Sequence, residues 1–198
     1  MLGKKVAGRR PTRRAIDTIL ILCGGDTEKI YFDNFKSRVA KIKVETVLEA
    51  DSPLNLVNLA IEKIAENYLQ VWVVFDRDEF DCFDAAIQLA TKKGINVAYS
   101  NQAFDLWFIL HFQRLEGGFH RSNFEHEINK LMKRNERNKL TKPYNNIYGL
   151  LKSRLDTAIT NATLGHQKHK RDNGDMPISS WESCTTVYQL IELLKKVQ

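Results

Sequence analysis

The run Ile19-Leu20-Ile21-Leu22-Cys23 sets five apolar residues side by side with no polar residue alternating among them. A strand with one wet face alternates, whereas an unbroken run marks a central parallel strand covered on both sides. Gly24-Gly25 breaks the run, and Asp26-Thr27-Glu28 opens a helix whose Tyr31, Phe32, Phe35 and Val39 fall on one face. The same alternation continues. Lys43–Leu48 reads as a second strand, and Ser52-Pro53 starts a helix carrying Val57, Ala60, Ile61, Ile64 and Tyr68. Val71–Phe75 is a third strand; a helix with Phe83, Ile87 and Ala90 follows, stops at Gly94, and gives way to a fourth strand over 95–100. Phe104, Trp107, Phe108 and His111 then form a short apolar helix. This β-α order predicts an α/β fold, a parallel sheet with helices on both faces.

Beyond Phe112 the pattern is helical alone. Ser122-Asn123-Phe124-Glu125 reads as a capping box ahead of Ile128, Leu131 and Met132. Another helix is expected over about 147–159, and the last one carries Val187, Leu190, Ile191 and Leu194. Residues 165–180, polar and rich in His and Lys, read as a long loop. The expected organisation is a basic disordered tail over residues 1–16, an α/β core over 17–112, and a helical C-terminal extension over 113–198 packed on that core.

Charge matters chiefly through its distribution. Lys4, Lys5, Arg9, Arg10, Arg13 and Arg14 all precede the first acid, Asp17; without them the chain has 24 basic and 24 acidic residues, a neutral body. Such a tail suits attraction to a phosphate backbone, though basic tails also occur without a ligand. No apolar run approaches the ~20 residues that span a bilayer. Cys23, Cys82 and Cys184 are far apart with no CxxC pair, as in reduced thiols of a cytoplasmic protein.

The chemistry is expected where the third strand ends in Asp76-Arg77-Asp78. By strand alternation Asp76 and Asp78 point to one side, roughly 6.5–7 Å apart, a spacing that suits two carboxylates sharing one hydrated Mg²⁺. The same residues also read as a polar turn opening a helix with Asp78 as its N-cap. His111, on an apolar face, reads as a hydrogen-bonded core histidine. His166-x-x-His169 has ligand-like spacing but no matching partner, and reads as part of a solvated loop. Lys130, Lys133, Arg134, Arg137, Lys139 and Lys142 form a stretch with only one acid, Glu136. Lys133, Arg134, Arg137 and Lys139 are candidate nucleic-acid contacts, as are Lys168, Lys170 and Arg171, although charges at a solvated helix end have the same pattern.

Several short motifs, in order, resemble the RloB-like (AbiLii-like) family of the Toprim superfamily. They are Ile21-Leu22-Cys23-Gly24-Gly25 with Thr27-Glu28 and Tyr31-Phe32; Val74-Phe75-Asp76-Arg77-Asp78; Ala98-Tyr99-Ser100-Asn101; Phe104-Asp105-Leu106-Trp107 with His111-Phe112; and Thr185-Thr186-Val187-Tyr188. Each is weak alone, and in this order they are specific. The resemblance implies a Toprim-like fold and a metal-dependent nuclease acting on RNA or DNA in prokaryotic anti-phage, abortive-infection defence, with an ATPase partner encoded alongside. It implies Mg²⁺, with Mn²⁺ as a substitute, held by Asp76 and Asp78, and Asp105 as a supporting acid. A non-catalytic interaction module bound to such an ATPase is the alternative.

One position departs from the pattern. The family's general acid/base glutamate falls at residue 24, which is glycine here. Three accounts follow: lost or altered catalysis in a natural variant, an inactivating substitution, or replacement by a neighbouring acid. Of the neighbours, Glu28 matches a family position of its own, and Asp26 is expected to be occupied as a helix N-cap. Cleavage is therefore expected to be weak or absent.

Overall fold

The computed structural model describes residues 17–36, 43–48, 52–66, 68–115 and 117–197; the expected tail over 1–16 lies outside them. Strands β1 (Thr18–Cys23), β2 (Lys43–Leu48), β3 (Gln70–Asp76) and β4 (Asn96–Ser100) form one sheet in the order β2-β1-β3-β4. Every pairing is parallel, with Cys23 opposite Leu48 on one side and Val74 on the other. The helices are α1 (Asp26–Asp33), α2 (Pro53–Lys63), α3 (Phe83–Lys93), α4 (Asp105–Leu110), α5 (Phe124–Leu131), α6 (Ile147–Leu151), α7 (Leu155–Asp172) and α8 (Val187–Val197). This is the α/β architecture expected from the unbroken apolar runs, with a helical C-terminal part. Among the described residues no helix is long and apolar enough to cross a membrane.

The two faces of each strand feed different cores. Ile19, Ile21, Cys23, Trp72 and Val74 pack with α1, α4 and the C-terminal helices, while Leu20, Leu22, Val71, Val73 and Phe75 pack with α2 and α3. Fully burying one such side chain stabilises by roughly 1.5–3 kcal/mol, which is why the runs carry no polar break. Local signals set the element ends. Ser52 Oγ accepts from Asn55 N–H at the start of α2, and Gly94 (φ 71°) closes α3 in the left-handed region, where a side chain is disfavoured.

The sheet gains a short partner from the far end of the chain. Thr185 bridges Ser100 in antiparallel fashion, Thr186 N–H donates to Tyr99 O at 2.9 Å, and Asn101 N–H donates to Cys184 O at 2.8 Å. The Thr185-Thr186 motif therefore seals the β4 edge before α8 begins.

Several boundaries differ from expectation. Helix α1 stops at Asp33 because the Asn34 side chain donates to Ile30 O and Tyr31 O and ties off its last turn. Phe35 is still buried, and Val39 lies outside the described residues. Tyr68 is not on α2, which ends at Lys63 in a 3-10 turn. The capping box at Ser122 does not form: a 3-10 turn over Arg121–Asn123 precedes α5, and the His120 ring accepts from Ser122 N–H. The helix expected over about 147–159 is split by a 3-10 turn at Lys152–Arg154.

The expected loop over 165–180 is helical as far as Asp172. His169 stacks on Trp181 with ring centroids 5.9 Å apart, and His166 Nδ1 lies 2.9 Å from Tyr188 Oη. These two histidines supply the inward contacts of a stretch without aliphatic periodicity, so neither belongs to a solvated loop. Lys168, Lys170 and Arg171 sit near the end of α7, where cations complement the helix dipole.

Candidate functional site

From β1 the chain crosses to β2 on one side; from β3 it crosses to β4 on the other. Adjacent strands with diverging connections leave a crevice beyond their carboxyl ends, the usual binding place in open parallel sheets. Gly24 lies at one lip, its N–H bonded to Val74 O at 2.9 Å, and Asp76 lies at the other. The cleft between them, about 190 Å³, is bordered by Gly24, Glu28, Asp76, Asp78, Phe80 and Lys142 among others.

Its floor is acidic. Glu28 is buried, and its carboxyl is pushed up to about 7, first by burial and also by the nearby Asp105 charge. The Asp76 carboxyl is pushed well up by burial, by Glu28 and by Asp105, against a partial offset from the Phe104 N–H that donates to it. The Glu28 carboxyl lies beside Asp76, whose ionisation its charge opposes. Asp105, at the start of α4, is only 2 % exposed, and one of its oxygens is 2.5 Å from Lys142 Nζ. Asp76 Oδ1 and Asp105 Oδ1 are sealed from solvent without a hydrogen-bond partner.

Asp78 reaches this cleft by another route than alternation. The strand ends at Asp76, and Asp78 has a φ of 47°, so its direction is set by a turn. Its N–H donates to Gln102 O at 3.3 Å, and its carboxylate pairs with Arg121. Arg121 N–H in turn donates to Gln102 Oε1 at 2.8 Å, so Gln102 clamps both partners. Asp78 is not a helix N-cap; α3 begins only at Phe83. Nor is Asp26 the cap of α1, where Gly25 takes that position and Asp26 is exposed.

The glycines at the lip differ in what they allow. A Cβ on Gly24 would meet Val74 O at 3.4 Å, Phe75 Cβ at 3.6 Å and Leu56 Cδ2 at 3.8 Å, all ordinary contacts. A Cβ on Gly25 would come within 2.6 Å of Glu28 Oε2. Glycine at 25 thus lets the Glu28 carboxyl fold back over the helix start.

The basic candidates stand elsewhere. Lys133, Arg134, Arg137 and Lys139 surround the end of α5, where a cavity of about 360 Å³ touches Arg134 and Lys139; Lys139 pairs with Glu125 at 3.2 Å. Lys168, Lys170 and Arg171 lie on α7, with Arg171 paired to Asp172. None of these seven borders the acid cleft. Lys142 alone of the basic stretch reaches it. In the sequence Lys142 stands out only as part of that stretch, and nothing near Arg121 or Gln102 signals their roles. His111 is a core residue as expected, with Nδ1 2.9 Å from Trp107 O.

The donor set suits a hard, oxygen-seeking divalent cation. Crowded carboxyls and two unpartnered carboxylate oxygens are what such an ion neutralises, and Mg²⁺ needs only one or two protein carboxylates with waters completing its shell. Among the described residues no three His, Cys, Asp or Glu side chains form a ready-made cage. A water-rich ion on two carboxylates fits this arrangement; a fully protein-ligated one does not.

The molecule is thus an open parallel α/β protein with a carboxylate-lined crevice at its topological switch point. Residues 19–194 match the family model described as RloB-like protein, and the chain belongs to the RloB-like family. No curated protein and no solved structure matches it.

Proposed function

We propose that this RloB-like chain is a Toprim-type, Mg²⁺-dependent nuclease of prokaryotic anti-phage defence, acting on RNA or DNA with an ATPase partner, and weakened by glycine at position 24. The observation that carries this reading is the convergence of Glu28, Asp76 and Asp105 with Lys142 at the crevice, two carboxylate oxygens there lacking partners. Asp76 and Asp78 hold the metal, Mn²⁺ substituting for Mg²⁺. When bound, the ion stabilises charge developing on the phosphodiester and activates water.

The remaining residues position and neutralise. Lys142 holds Asp105 in place while its half-exposed side chain offers positive charge to a phosphate at the cleft. Arg121 and Gln102 fix the rim carboxylate Asp78. Glu28 lies beside Asp76, but its carboxyl is folded back over the start of α1. Position 24, open to the cleft, lacks the side chain that would move a proton to or from the reacting oxygen.

The test is Gly24→Glu, whose Cβ would make only ordinary contacts at the lip. General acid/base catalysis contributes about 10²–10⁴-fold, so the variant should cleave RNA or DNA at least ~100-fold faster than the parent in Mg²⁺. Mg²⁺ should also raise the parent's Tm, and Asp76→Asn/Asp78→Asn should abolish that rise. A Gly24→Glu protein inert on RNA and DNA with the ATPase present, together with a Tm indifferent to metal, would leave the non-catalytic module as the better reading.

A further inference from the structure

Beside the acid cleft lies a second cavity of about 290 Å³, lined by Asp78, Glu79, Phe80 and Arg121. Asp78 and Phe80 border both, so the two are contiguous. Phe80 is 41 % exposed and belongs to neither hydrophobic core. It sits in the turn after β3, its N–H bonded to Arg77 O at 3.0 Å. Arg121, which also lines the cavity, is anchored through its backbone to Gln102 and through its guanidinium to Asp78. A guanidinium has five N–H donors, and one carboxylate engages at most two. The wall therefore combines a partly exposed aromatic ring outside both cores with a fixed cation that retains donor capacity.

We propose that this cavity is a nucleobase subsite: Phe80 stacks on a base next to the phosphate in the acid cleft, and Arg121 binds the adjoining phosphate. The volume lies at the lower edge of the roughly 300–1,000 Å³ typical of ligand pockets, which suits one base rather than two. Stacking tolerates any base because every base has a π-face, and it requires an unpaired strand. The preferred substrate is accordingly single-stranded at the position of cleavage. This inference rests on the nuclease reading, which it extends to the form of the substrate.

Binding measurements separate the two. Short single-stranded RNA and DNA oligonucleotides carrying 2-aminopurine, whose fluorescence is quenched on stacking, are titrated into the Gly24 protein in Mg²⁺. The expected result is quenching on binding by the parent and by Phe80→Trp. Phe80→Ala and Phe80→Leu should bind about ten-fold more weakly without quenching, at unchanged Tm, because the residue lies on an exposed turn. Arg121→Ala should weaken binding while any residual complex still quenches. If Phe80→Ala binds and quenches as the parent does, the subsite is wrong while the nuclease reading stands. If the parent binds neither RNA nor DNA, the nuclease reading fails and the subsite fails with it.

Discussion

Asp76 is a carboxyl whose charged form the fold opposes. Burial removes its water, Glu28 and Asp105 repel it, and one of its oxygens has no partner. A cation bound in the crevice would stabilise a residue kept in that state. Asp76→Asn preserves the shape and the acceptor for Phe104 N–H while removing the charge. In metal-free buffer at pH 8 the variant should melt above the parent, by roughly 2–4 °C for each kcal/mol of repulsion relieved, and it should lose the Mg²⁺ response. A lower Tm in calorimetry would show that repulsion is not what strains this site.

Among the elements, the end of β4 carries more than its five residues suggest. Asn101 is fully buried, and its Nδ2 faces Ile178 O, Ser179 O and Trp181 O at 3.4, 3.0 and 2.7 Å. Ser179 N–H is also held by Asp84 Oδ1 at 2.9 Å, joining the same turn to α3. Through these bonds the segment between α7 and α8 is clamped over the sheet, so α8 starts in register with the β4 edge. Asn101→Ala leaves buried carbonyls unpaired and should destabilise by about 2 kcal/mol in urea unfolding. A change under about 0.5 kcal/mol would mean that the turn is held by its backbone contacts alone.

Over the whole molecule, two buried groups make stability depend on pH in opposite directions. His111 is pushed down to about 4, chiefly by burial, so its neutral form is favoured in the fold. Below its ordinary value near 6.5 the unfolded chain takes up the proton first, and stability is lost as pH falls from 6.5 to 4. Glu28 is pushed up to about 7, so its contribution is intact below its ordinary 4.5 and is lost as pH rises from 4.5 to 7. Each shift corresponds to about 3 kcal/mol across its window, and where the windows overlap the two offset each other. In metal-free urea titrations Glu28→Gln combined with Asp76→Asn, whose raised carboxyl acts in the same direction, should gain stability from pH 4 to 6.5, whereas His111→Gln should lose it from pH 4.5 to 7. Parallel profiles for both variants and the parent would sink this account.

The strand–helix order, the parallel sheet and the lips of the crevice are legible along the chain because their causes are local. Apolar runs form covered strands, Gly24-Gly25 breaks one, and Gly94 ends a helix whichever helix packs beside it. The later part of α7 is not legible, since its inward contacts there come from His166 and His169, which need Trp181 and Tyr188 to receive them. The site divides in the same way. That acids follow β3 is written in the sequence; which groups meet them is not. Glu28, Asp105 and Lys142 are far apart in the chain, and only the packing of α1, α4 and the segment before α6 brings them together. Asp78 shows the limit most plainly, because alternation ends with the strand and its direction comes from a turn held by Gln102 and Arg121. That acids end a buried parallel strand follows from chain order alone; which of them are buried together depends on packing, since burial and charge repulsion come from neighbours that chain order does not reveal.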